Sequence, residues 1–433
     1  MDPEVVGSNP TSANISLLIF HFFSYIFLIY RSPAIADMQQ YNPRNTLYHQ
    51  QSNSPSSNNN KRAKFEHDKP RHCRAPKQNI IFVKSHKTGS STVSTTLIRY
   101  AEENQLKLAM PIFTHIFHEV HPFNHRMVLS IGDMKQFNIL TNHARYNRFE
   151  MSQVVHRAIY VTIIRNPIHQ LESAFSYFGM AQGLGLSENN GLDEFLEKPK
   201  YYFNNQQYHM REQSWNGQIF DLGLDHKYHL NDSAVQHKIK QLSKEIDLVM
   251  IKEYFDHSMV LLRHLLCWDW MDVVYISKAV RAKQLRYDIT NTLTAKIKRW
   301  NAADVKLYKH FNRTFWRKIK QYGSNFNRDL KHFQDLNRHI SSLCIDTDSN
   351  SNYDMREDAH SLRPDAPPFC FNLKQDEVPF IRWIKWHYVC RHMLVPSFII
   401  LVFICVSVYS IKHLVFRRGF TKVLPTEQLY KRT

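Results

Sequence analysis

The chain has 433 residues, with 56 Lys and Arg against 38 Asp and Glu, a formal net charge of +18. Hydrophobic residues at 43% and aromatics at 13% exclude a wholly disordered chain, while six Cys and 11 Gly exclude a disulfide-built scaffold and a collagen-like one. The basic excess points to an anionic partner: nucleic acid, a membrane surface, or a phosphorylated or sulfated ligand.

Residues 1–14 form a tail without a reading. Residues 15–30, ISLLIFHFFSYIFLIY, carry no charge and are expected to be a membrane signal anchor, at the short end of the roughly 17–25 residues a span needs. Residues 31–76 are polar and low in complexity, as in a stem; their basic cluster (Lys61, Arg62, Lys64) is also compatible with a nucleic-acid arm. A globular domain is expected over 77–385. Residues 393–411 are a second uncharged apolar segment and a candidate second membrane helix. The basic tail 412–433 behind it would be cytosolic by the positive-inside rule.

Within the globular domain, residues 79–83 read as a buried strand. Lys84-Ser-His-Lys-Thr-Gly-Ser-Ser-Thr92 follows. Then Val93, Leu97, Tyr100 and Ala101 recur at helical spacing, with Ser90 or Ser91 as the expected N-cap. A strand, a loop of hydroxyls, lysines and one glycine, and a helix start supply what an anionic phosphate needs. Lys87 precedes Gly89, so this is not the G-x-x-x-x-G-K-[ST] order of a nucleoside triphosphate loop. A second unit reads the same way. Residues 158–164 are a β-branched strand, Arg165-Asn-Pro167 ends it, and a helix begins at Pro167 with Ile168, Leu171, Ala174, Phe175 and Phe178 apolar. Arg165 and Ser173 could converge on a phosphate, for which a guanidinium fork is suited. Two such units suggest a nucleotide with two separated phosphate groups.

These stretches resemble the Golgi carbohydrate sulfotransferases, and among them the galactose 3-O-sulfotransferases. The likeness runs over about residues 74–383. It rests on Phe82 to Val93, Asn142-His-Ala-Arg-Tyr-Asn147, Val161 to Phe178, Gln218 to Asp225, Glu253 to Ser258, Leu266-Cys-Trp268 and Trp300 to Trp316. The C-terminal apolar segment is not a feature of that family.

The resemblance implies an α/β fold, a three-layer P-loop-like architecture with a central parallel sheet flanked by helices. It implies 3′-phosphoadenosine 5′-phosphosulfate as donor, without a metal. The implied acceptor is the 3-hydroxyl of a β-linked galactose on a glycolipid or glycan. Lys87 is expected to stabilise the leaving phosphate. Lys84, Thr88, Gly89, Ser90, Ser91 and Thr92 are expected around the 5′-phosphate, and Arg165 with Ser173 around the 3′-phosphate. His143 is the candidate general base, with His86 and Glu253 as alternatives. The expected location is the Golgi membrane with the domain luminal, and the Asn-x-Ser/Thr triplets at Asn231 and Asn312 are compatible with that. Cys344 with Cys370 is one of several possible disulfide pairings.

Rival readings remain. Asp346-Thr-Asp348 matches the Asp-x-Asp of metal-dependent glycosyltransferases but lies in a polar stretch without a strand before it. His115, His118, His121 and His125 have a near-helical spacing that Pro122 interrupts, which disfavours a metal cluster. A nucleic-acid-binding protein would gather its basic residues on one face, whereas here they are spread along the chain, so no nucleic-acid partner is expected.

Overall fold

The computed structural model describes residues 73–130, 136–276, 286–346, 361–389, 403–408 and 410. The chain divides into two units, Met1–Ala63 and Lys64–Thr433. The first lies outside the described residues, as do the expected anchor at 15–30 and nearly all of the stem; only part of the apolar segment 393–411 is described. Among the described residues no helix is long and apolar enough to cross a membrane.

The second unit is built on seven strands among the described residues: β1 Ile80–Val83, β2 Leu108–Ala109, β3 His118–Pro122, β4 Ile139–Leu140, β5 Ala144–Arg145, β6 Ile159–Ile164 and β7 Leu248–Ile251. Five make one parallel sheet in the order β2-β4-β1-β6-β7, and β3 pairs with β5 apart from it. The expected central parallel sheet flanked by helices is present. β1 is its middle strand, and all four of its residues are 0% exposed. A strand covered on both faces reads as a continuous apolar run rather than an alternating one, as Ile-Ile-Phe-Val does. Each such side chain contributes roughly 1.5–3 kcal/mol by its burial.

The helices used below are α1 Ser90–Glu103, α2 Pro167–Tyr177, α3 Gly217–Asp221, α4 Asp232–Glu245, α5 Phe255–Leu266, α6 Ala302–Tyr322, α7 Phe326–Cys344, α8 Phe369–Lys374 and α9 Glu377–Val389. α1 buries Val93, Leu97, Ile98 and Ala101, and its Tyr100 ring stacks on Trp268 with centroids 3.7 Å apart. α2 starts at Pro167, with the Asn166 side chain accepting from the Ile168 N–H. That combination favours a sharp helix start at the strand end. α2 packs Leu171, Ala174 and Phe175 into a cluster with Phe195, Leu293 and Ile297.

Register decides where the loops meet. Val83 pairs with Thr162, Ile81 with Leu140, and Ile164 with Ile251. The segments that leave the carboxyl ends of β4, β1, β6 and β7 therefore lie side by side. They carry Asn142 and His143, residues 84–89, Arg165 and Lys252 in that order. In open parallel sheets this edge is where ligands bind.

Candidate active site

The chain leaves β1 at Lys84 and turns into α1 through two left-handed residues, Lys87 at φ 59° and Gly89 at φ 76°. The helix cap is Gly89, not Ser90 or Ser91, and no side chain caps the first turn. The reason is local. The Thr88 and Ser90 hydroxyls both donate backwards to the Ser85 carbonyl, at 3.0 and 2.7 Å. The leading N–H groups of α1 thus lack the side-chain acceptor that usually meets them, and the positive end of the helix faces the loop. Ser91 is half-buried, and Thr92 is buried on the same first turn.

The Lys87 ammonium lies 3.3 Å from the centre of the Tyr177 ring at the end of α2. Its carbonyl accepts from the Arg165 guanidinium at 3.1 Å. Arg165 is itself fixed by Gln218 of α3, which accepts from its N–H at 2.7 Å and donates to its carbonyl at 2.9 Å. The structure so brings Lys87 and Arg165 together from two separate strand ends. Ser173 is buried on α2.

His86 and His143 come together from the loops after β1 and β4. Their rings stack with centroids 4.0 Å apart and planes 13° from parallel. Asp221, the last residue of α3, accepts from the His86 backbone N–H at 2.8 Å and contacts its Nδ1 at 2.9 and 3.1 Å. A carboxylate only accepts, so Nδ1 is the ring nitrogen that donates to it. Gln213 donates to the same carboxylate at 2.8 Å and holds it in place. Burial, and next the Lys84 ammonium, push His143 well below the ordinary imidazole range, so it is neutral at pH 7. Its Nδ1 is buried without a hydrogen-bond partner.

Lys84 is placed differently from the other loop residues. It is 3% exposed, and its ammonium is ion-paired with Glu377 at the start of α9. Glu377 also accepts from Ser94 of α1 at 3.0 Å, and Ser94 accepts from Thr141 at 2.9 Å. Glu253, one alternative base, accepts from the Asn166 N–H and from the Tyr308 hydroxyl, at 2.9 and 3.0 Å. Of the histidine run, His125 pairs with Glu150, and the His118 and His121 rings lie 4.6 Å apart. Asp348 lies outside the described residues, which leaves the Asp-x-Asp motif only partly described.

Sequence reasoning did not assign Asp221, Gln213, Glu377 or Lys252 to the site. Asp221 lies inside the Gln218–Asp225 stretch on which the resemblance rests. Nothing in the sequence marks the other three.

Comparison with known proteins bears on the family. The sequence model of the galactose-3-O-sulfotransferase family matches residues 9–400. The chain is 34% identical over 331 residues to a galactosylceramide sulfotransferase of Mus musculus, covering 74% of this chain and 77% of that one. It is 36% identical over 297 residues to galactose-3-O-sulfotransferase 2 of Sus scrofa, covering 67% and 74%. The protein belongs to the galactose-3-O-sulfotransferase family.

Proposed function

We propose that the protein transfers the sulfuryl group of 3′-phosphoadenosine 5′-phosphosulfate to the 3-hydroxyl of a terminal β-galactose on a glycolipid or glycan. The observation that carries this reading is the junction of β1 and α1. An uncapped helix start there is flanked by Lys87 and Arg165, and His86, one residue before the lysine, stacks on His143. The residues fit the donor. Backbone N–H groups at 88–92 and the Lys87 ammonium suit a phosphosulfate, and the Arg165 fork suits the second phosphate.

The acceptor oxygen forms a bond to sulfur while the bond from sulfur to the 5′-phosphate oxygen breaks. Charge grows on that leaving oxygen, where Lys87 opposes it. The acceptor proton passes to the imidazole pair. His143 is the base chosen from sequence, and it is neutral. The Asp221 hydrogen bond favours His86 as the member that takes the proton, because a carboxylate behind Nδ1 fixes the tautomer and stabilises the resulting cation. The Lys84 ammonium is ion-paired with Glu377, which also accepts from Ser94, so we assign it to holding the loop rather than to donor contact.

The Golgi location, with the domain luminal and anchored by residues 15–30, belongs to the same proposal. Two disulfides, Cys73–Cys267 and Cys344–Cys370, suit an oxidising compartment. Asn231 is exposed and suits a glycan, whereas Asn312 lies within α6 with a buried Oδ1.

The test is transfer of radiolabelled sulfate by the detergent-solubilised full chain to galactosylceramide, to lactosides, and to 3-O-blocked controls. Transfer confined to free 3-hydroxyl galactosides is expected. Lys87→Ala should lower turnover by roughly 10²–10³-fold while adenosine 3′,5′-bisphosphate still binds. If His86→Asn abolishes turnover and His143→Asn only reduces it, His86 is the base; the reverse restores His143. Folded protein that neither transfers sulfate nor binds the bisphosphate would sink the reading.

A further inference from the structure

Lys252 is the first residue after β7 and opens the short turn Lys252–Tyr254. The pairing of Ile164 with Ile251 puts it beside Arg165. Its side chain reaches past the end of β6 to the α1 loop. A Cβ placed on Gly89 would stand 2.8 Å from Lys252 Cδ, 3.0 Å from Cε and 3.2 Å from Nζ. The ammonium therefore rests against the peptide that enters the first turn of α1.

This is an unusual place for a lysine. The residue is half-buried, and two sources of positive potential, Arg165 and the uncapped start of α1, lie around it. Two carboxylates are close enough to act on it, but both are engaged elsewhere. Glu253 accepts from the Asn166 N–H and the Tyr308 hydroxyl. Asp256 accepts from the Tyr275 hydroxyl at 2.7 Å and from Gln334 at 3.1 Å. Among the described residues Lys252 Nζ has neither an ion pair nor a hydrogen bond, and the Phe255 ring 4.8 Å away is its one cation–π neighbour. Burial and then the Arg165 charge push the Lys252 pKa downward. A lysine present only to cover apolar surface would extend its ammonium to water or to a carboxylate. A half-buried ammonium that has no ion pair of its own and lies beside a second cation and a helix start is stabilised by an anion that binds against it.

We propose that Lys252 is a third cation of the donor site, contacting a phosphate of the bound adenosine nucleotide between Arg165 and Gly89. The inference rests on the donor reading above and deepens it. It also gives Gly89 a second reason to lack a side chain: besides its φ of 76°, any Cβ would push the Lys252 stem out of the crevice.

The test measures affinity of the solubilised full chain for adenosine 3′,5′-bisphosphate and for adenosine 5′-monophosphate, in wild type and in Lys252→Met, Lys252→Gln and Lys252→Arg. A charge-assisted phosphate contact corresponds to roughly 10–100-fold in affinity. Lys252→Met and Lys252→Gln should weaken bisphosphate binding by that factor at unchanged thermal midpoint, and Lys252→Arg should restore most of it. Loss of the preference for the bisphosphate over the monophosphate places Lys252 on the 3′-phosphate. Equal weakening of both places it on the 5′-phosphate. Bisphosphate affinity within twofold of wild type in both neutral variants overturns the assignment. Wild-type protein that binds no bisphosphate overturns the donor reading itself, and this inference with it.

Discussion

Lys87 stands at φ 59°, a conformation that places Cβ close to the following carbonyl oxygen at a cost of about 1–2 kcal/mol. The strain is held by bonds on both sides: Arg165 grips the Lys87 carbonyl, and the Thr88 and Ser90 hydroxyls grip Ser85. Such strain concentrates where a side chain must be aimed rather than merely packed. The backbone strain and the ammonium can be separated by substitution. Lys87→Ala and Lys87→Gly both remove the charge, but only glycine relieves the Cβ. Lys87→Gly should therefore be more stable than Lys87→Ala by about 1 kcal/mol, while both are equally impaired in turnover. Chemical denaturation of the two variants checks this, and equal stabilities would show that position 87 is unstrained. The charged loop itself was legible in the sequence, because hydroxyls, lysines and a glycine between a strand and a helix are a local pattern. The partner that orients His86 was not. Asp221 is 135 residues away, and no local period connects the two.

At the scale of elements, the site is closed from behind by the end of the described domain. α8 and α9 pack on α1, α8 is tied to the end of α7 by Cys344–Cys370, and the first turn of α9 delivers Glu377 to Lys84. An acidic residue in a first helical turn also meets the positive end of its own helix. The pair is 3% and 12% exposed at its two side chains, so loss of one partner leaves a charge that water reaches poorly. Breaking such a pair costs about 3–5 kcal/mol, whereas replacing both partners by apolar groups is often nearly neutral. Glu377→Ala should thus destabilise the domain by about 3 kcal/mol, and Lys84→Met with Glu377→Leu should recover most of that loss. Urea denaturation of the single and double variants measures it. A single variant as stable as wild type would mean that Lys84 and Glu377 are not paired in solution. The sequence offered no hint of this contact, since 293 residues separate the partners and a glutamate at a helix start is an ordinary residue.

For the whole molecule, the sequence revealed the strands β1 and β6, because each is an apolar run with a chemical signal at its end. It hid β2 and β4, which are two residues each, too short for any hydrophobic period to show. The parallel arrangement came from the family resemblance, and the neighbour relations came only from register. The covalent frame was the least legible part, because cysteine spacing does not determine pairing. Cys73–Cys267 joins residues 194 apart in sequence and ties the start of the described domain to the residue after α5; Cys344–Cys370 joins residues 26 apart. Closing a loop of the longer kind removes denatured-state entropy corresponding to about 5 kcal/mol, and of the shorter kind about 3.5 kcal/mol. Paired serine substitutions test the two bonds separately, and they avoid the thiol exchange that a reductant would start with the exposed Cys405. Cys73→Ser with Cys267→Ser should lower stability more than Cys344→Ser with Cys370→Ser, yet the second pair should weaken donor binding more. It frees α8 and α9, and with them Glu377, which is ion-paired with Lys84 at the start of the loop between β1 and α1. Equal donor affinity in the two double variants would show that this C-terminal segment serves stability alone, and that the loop between β1 and α1 keeps its shape without it.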